Sequence, residues 1–148
     1  MGNIHPALIA IGALIFMCVI IFTGISHASG WAALAGQYRS QETFTGTCWS
    51  FQSGQMRWWT GYNNCLKVGG DPRGLYLTIA FPFLFLIGHP PLFIPWRDIT
   101  FVSKRFLWVK YVELRLGRET AIPLRINDRL AQRLKSAAGS SWPIEAVA

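Results

Sequence analysis

Acidic side chains are scarce in this chain. Seven Asp and Glu stand against fourteen Lys and Arg in 148 residues, and charged residues of both signs make up only 14%, where soluble domains carry about 25%. Such a deficit points away from an ordinary soluble domain and towards a membrane. Recognisable catalytic motifs are lacking too. The three histidines lie apart at 5, 27 and 89, and no pair of candidate ligands has metal-binding spacing. No G-x-S-x-G, Walker loop or dinucleotide fingerprint is present. Gly69-Gly70-Asp71 reads as a turn rather than a phosphate cradle. Cysteine is limited to Cys18, Cys48 and Cys65, without a C-x-x-C, which excludes the usual zinc and redox signatures. Cys18 sits in an apolar run as a small filler, and Cys48 and Cys65 are the only candidates for a pair, expected here as reduced thiols. Nothing positions a His beside either of them. The expectation is a protein that is not an enzyme, with no cofactor, no metal and no small-molecule substrate.

Charge is also missing locally. Residues 6–25 form a 20-residue run without a charge, and no Lys, Arg, Asp or Glu appears before Arg39. A helix of that length spans a hydrocarbon core of about 30 Å at about 1.5 Å per residue and satisfies its own backbone polar groups. A signal peptide is the competing reading, since Ser26-His27-Ala28 resembles a small-x-Ala cleavage site. Against it, the preceding MGNIH carries no Lys or Arg and the apolar core is long. An uncleaved anchor over residues 1–26 is therefore expected. Because every Lys and Arg follows it, the positive-inside rule places the rest of the chain in the cytoplasm, on the inner side of the cytoplasmic membrane. Residues 27–43 read as a juxtamembrane linker: either a short helix, since Trp31, Leu34 and Tyr38 share helical spacing and make an apolar face that would suit the bilayer interface, or a loop packed on the domain.

The second apolar stretch, residues 75–96, is uncharged as well. Pro82, Pro90, Pro91 and Pro95 would each break a helix, and Gly88-His89-Pro90-Pro91 has turn chemistry. Strands are expected, with a hairpin or broken helix entering the membrane as the alternative. His89 reads as a turn residue bonded to backbone. Further on, Val112, Leu114 and Leu116 alternate with Tyr111, Glu113 and Arg115. After a turn at Gly117-Arg118-Glu119, Ile122, Leu124 and Ile126 alternate with Ala121, Pro123 and Arg125. This predicts a half-buried antiparallel hairpin, with Pro123 suggesting an edge strand. Asn127 or Asp128 then caps a helix with Leu130, Leu134 and Ala137 on one face, ended by Gly139. Residues 140–148 read as an irregular tail with Trp142 free to dock.

The segments Gly74-Leu75-Tyr76-Leu77 and Ile87-Gly88-His89-Pro90-Pro91-Leu92-Phe93-Ile94-Pro95-Trp96, followed by Ile99, carry a resemblance. Together with the order of short strands and one closing helix, the chain resembles membrane-anchored bacterial proteins with a pleckstrin-homology-like domain of the GRAM or bacterial kind, over residues 44–138. It departs from them in that residues 82–87 are wholly apolar. The resemblance implies a mainly β fold: a barrel or sandwich of about seven strands over residues 44–139, closed by a C-terminal helix. The fold by itself dictates no function.

Two kinds of partner follow. Aromatic residues are enriched at interaction hot spots and membrane interfaces. Trp31, Trp58, Trp59, Phe83, Phe85 and Trp142 are the candidates for docking on other membrane-protein subunits, and Ala7, Ala10 and Ala13 make a small-residue stripe suited to close helix packing. That combination suggests an accessory or scaffolding subunit of a larger membrane complex, for example a respiratory or photosynthetic one. The alternative is a surface that binds anionic membrane lipids through Arg57, Lys67, Arg73, Lys104 and Arg105. The net charge of +7 would also suit nucleic acid, but no nucleic-acid-binding motif accompanies it.

Overall fold

The structure, a computed structural model, describes residues 5–57, 60–80 and 88–146. Helix α1 covers Pro6–Ser29. Proline at its first position leaves no intrahelical donor lost. Gly30 ends it at φ +88°, donating to the His27 carbonyl, a left-handed conformation that glycine adopts without a Cβ penalty. This is long and apolar enough to cross a membrane, and its most apolar window buries nothing against the rest of the chain.

The chain turns at Gly30 into α2, Trp31–Tyr38. The linker is thus a helix at this point, and its apolar face is turned inward: Trp31 and Leu34 have no exposed surface and join the domain core. The expectation that this face lies on a bilayer is corrected, because the concave side of the sheet already offers it a drier site.

Strands β1 (Thr47–Met56), β2 (Thr60–Asp71), β3 (Gly74–Ile79), β4 (Leu92–Pro95), β5 (Ile99–Phe106), β6 (Val109–Leu116) and β7 (Ile122–Asn127) form a seven-stranded sheet among the described residues, in the order β4-β3-β2-β1-β7-β6-β5. All the pairings are antiparallel, and the sheet curls into a half-barrel. Period-two alternation drives the curl inward: Leu66 and Val68, Leu75 and Leu77, Leu114 and Leu116, and Leu124 and Ile126 all point into one core. Each such side chain contributes about 1.5–3 kcal/mol on full burial. The region of residues 75–96 supplies β3 and β4, while residues 81–87 lie outside the described part.

Two local expectations are corrected. Gly69 and Gly70 belong to β2, and the turn falls at Pro72 and Arg73. A Cβ at Gly70 would come within 3.2 Å of Leu134, so glycine lets the closing helix approach the strand. β7 is an interior strand, paired with both β1 and β6. Pro123 is tolerated because the β1 ladder stops at Met56 opposite Leu124; beyond it, the Pro123 carbonyl accepts from Arg57 N at 2.9 Å and no donor is needed in return.

Helix α3, Asp128–Ala138, closes one side of the half-barrel. The Asn127 side chain accepts from Leu130 N at 2.7 Å, a standard N-cap. Leu130, Ala131, Leu134 and Ala138 are buried. The segments flanking the sheet return to its two edges. Arg39 bridges Leu92 on β4, and Glu145 bridges Phe101 on β5, with Ala146 N donating to Phe101 O at 2.8 Å.

Candidate docking surfaces

The C-terminal end of α1 is held to the domain by polar side chains buried among apolar ones. Ser26, Ser29 and His89 are each at most 1% exposed. The Ser26 hydroxyl donates to the Gly88 carbonyl. The Ser29 hydroxyl donates to the Ser26 carbonyl at 3.2 Å. The Tyr62 hydroxyl on β2 donates to Ser29 Oγ at 3.0 Å and lies 3.0 Å from His89 Nε2. The histidine tautomer sets which atom donates in the Tyr62–His89 contact. The hydrogen-bonded chain runs through His89, Tyr62, Ser29 and Ser26. Burial dominates the titration of Tyr62 and pushes its hydroxyl up to about 12 against the opposing Ser29 bond.

Around this chain, Trp31 packs edge-on against His89, with ring centres 5.1 Å apart, and its Nε1 donates to the Pro90 carbonyl at 2.9 Å. Arg57 reaches back from the end of β1 to the Ala28 carbonyl at 3.1 Å. Residues from α1, α2, β2 and the segment before β4 thus share one joint. The sequence marked His89 as a turn residue but gave no sign of its Tyr62 partner, which lies 27 positions away.

The six aromatic candidates do not form one patch. Trp31 is buried in this joint, so it is not a docking contact; its indole is already covered by His89 and Tyr62. Trp58, Trp59, Phe83 and Phe85 lie outside the described residues. Trp142 is half-buried on its own domain, with ring centres 5.4 Å from both Trp96 and Phe101.

Nor do the five basic candidates make one rim. Arg57 precedes β2 and Arg73 follows it, at opposite ends of a 12-residue strand, roughly 36 Å of extended chain. Arg73 pairs with Asp71 at 2.9 Å and lies over the Phe93 ring. Lys67 is half-buried in mid-strand. Lys104 is committed to Glu113 at 3.0 Å. That glutamate, 3% exposed on β6, also meets Arg125 at 3.2 Å and Arg115 at 3.7 Å. Burial works to raise its pKa, but the hydrogen bonds from Lys104 and Arg125 outweigh it and hold the carboxyl below its usual range.

A surface the sequence reading did not single out lies at the tip of the β5–β6 hairpin. Phe106 pairs with Val109, leaving Leu107 and Trp108 as a two-residue turn. All four side chains are exposed, Trp108 at 80%. Arg105 and Lys110 pair at the base of the tip and are exposed. The hairpin borders a groove of about 770 Å³ whose wall includes Phe106, Val109, Gly61 and Asn63. The signal was present as three cations around an uninterrupted apolar tetrad in residues 104–110, with no Gly or Asn to mark the turn.

Comparison with protein-family models, with curated proteins and with solved structures found no match.

Proposed function

We propose that this chain is a non-catalytic, single-pass membrane protein of bacterial type, whose pleckstrin-homology-like domain serves as an accessory or structural subunit of a larger membrane complex. In this reading α1 lies in the inner membrane and the domain sits on its cytoplasmic face. The strand order, with a single helix packed across one side of the curled sheet, supports the pleckstrin-homology-like assignment.

The observation that carries the reading is the joint. A flexible tether would suffice if the domain only had to stay near a membrane. Here the last turn of an outwardly apolar helix is bonded through Ser26 and Ser29 to Gly88 and Tyr62, so helix and domain present their surfaces in one relative pose. That arrangement suits a part fitted between fixed neighbours. Buried polar side chains support binding over catalysis: those described are engaged with hydrogen-bond partners, and the joint and the Glu113 cluster use them for structure.

Extraction of native membranes in mild detergent tests this directly. The chain is expected to migrate with a larger assembly, and Trp58→Ala with Trp59→Ala to release it while the helix stays in the membrane. Migration of the unaltered chain as a free protomer would overturn the subunit reading.

A second reading, attachment to anionic lipid, is favoured by one observation of its own: the exposed apolar tip with Arg105 and Lys110 at its base.

A further inference from the structure

We propose that the tip of the β5–β6 hairpin, formed by Phe106, Leu107, Trp108 and Val109, inserts into the headgroup layer of an anionic lipid bilayer as a second attachment point beside α1. The inference rests on the reading of α1 as a membrane span.

Four adjacent apolar side chains at a hairpin tip are the reverse of what turn chemistry prefers. Two-residue hairpins favour Asn, Asp and Gly, which accept positive φ and face water. Here Leu107 is held at φ +55°, a left-handed conformation that costs a residue with a Cβ roughly 1–2 kcal/mol. Strain of this kind persists where the surroundings or a function demand it. At this turn the Leu107 side chain is 66% exposed, so its packing against the described residues offsets little of that cost.

The charges around the tip select the occupant. No acid occurs between Lys104 and Lys110. Arg105 folds back so that its Nε donates to the Leu107 carbonyl at 3.1 Å, which keeps its cation at the turn. Among the described residues no acid forms an ion pair with Arg105 or Lys110: Glu113 on β6 is taken up by Lys104 and Arg125, and Glu145 accepts from Ser103 N. The cores of protein–protein interfaces are depleted in Lys and are matched to a surface of opposite shape. A narrow convex tip with an indole at its end and cations behind it matches instead the layering of a bilayer boundary, where Trp sits at headgroup level and basic side chains meet phosphate.

The register fixes where the tip stands. Gly30, at the end of α1, adjoins Ile122, which pairs with Leu116 at the far end of β6 from Val109. The tip therefore lies roughly 23 Å along β6 from the joint, and both attachment points engage together when β5 and β6 run along the bilayer surface. With α1 already in the bilayer, the second contact is intramolecular, and a small patch is sufficient because its effective concentration is high.

The test uses the full chain in lipid nanodiscs made of phosphatidylcholine, with or without phosphatidylglycerol, and including lipids brominated high on the acyl chain. The emission of Trp108 is taken as the difference between the unaltered chain and Trp108→Phe. In anionic discs that difference is expected to be quenched by bromine and shielded from aqueous iodide. Charge reversal by Arg105→Glu with Lys110→Glu, or high salt, is expected to lower the bromine quenching by about tenfold. Unchanged unfolding midpoints would show that these surface variants are folded. Trp108 emission that stays open to iodide in anionic discs, while the chain remains disc-bound, would overturn the inference and leave the membrane anchoring intact. Protection that occurs in native membranes but in no lipid disc would assign the tip to a protein partner instead. A chain that does not enter the discs at all would overturn both readings.

Discussion

At the end of α1, polar side chains that usually seek water are buried; at the tip of β5–β6, apolar side chains that usually avoid it are exposed. Both places invert the ordinary partition, and for opposite reasons. The buried Ser26, Ser29, Tyr62 and His89 satisfy one another, so their desolvation is offset within the chain and the result is a defined geometry. Among the described residues none covers Phe106, Leu107, Trp108 and Val109. The first inversion is complete in itself, whereas the second leaves an apolar surface open to a contact outside the molecule.

The largest expected effect that sharpens this contrast comes from two changes of one residue type. Trp31→Ala removes a fully buried indole and is expected to cost about 3–5 kcal/mol. Trp108→Ala, at 80% exposure, is expected to stay within about 0.5 kcal/mol. Denaturant unfolding of the detergent-solubilised chain measures both, and equal losses would erase the distinction between the regions.

A smaller effect tests whether the joint is satisfied internally. Tyr62→Phe removes the hydroxyl facing Ser29 and His89 and is expected to cost about 1–3 kcal/mol at neutral pH. It should also change the alkaline limb. The folded state holds Tyr62 protonated up to about 12, above its ordinary 10.0. Its contribution is therefore complete below pH 10 and is lost as pH rises towards 12. Stability measured across that window is expected to fall less steeply in Tyr62→Phe than in the unaltered chain.

The smallest effect concerns the tip. Leu107→Gly relieves a positive φ and removes an exposed side chain, so stability is expected to rise by up to about 1 kcal/mol. Lipid attachment of the hairpin, read by Trp108 quenching, is expected to weaken at the same time. A loss of stability on this change would mean that Leu107 is held by contacts within the chain.

Some of this was legible beforehand because it rests on local pattern. The charge-free run announces α1, the alternation of Val112, Leu114 and Leu116 with polar neighbours announces β6, and Asn127 before Leu130 announces the cap of α3. The joint was not legible, because its members come together only through the fold, with Ser29 and Tyr62 33 positions apart. Trp31 was misread for a related reason: one apolar helix face looks the same whether it meets lipid or a sheet. The tip was missed because Phe106 to Val109 reads as a continuation of strand; without a glycine, only the paired backbone reveals the turn.

A curled sheet that stops short of closure leaves two rows of unmatched amides and carbonyls, an invitation to invading strands from other copies. Arg39, between α2 and β1, and Glu145, beyond α3, each set one bridge on those edges, the former at Leu92 and the latter at Phe101. Segments from before the first strand and after the last thus occupy part of each edge that a second copy would need.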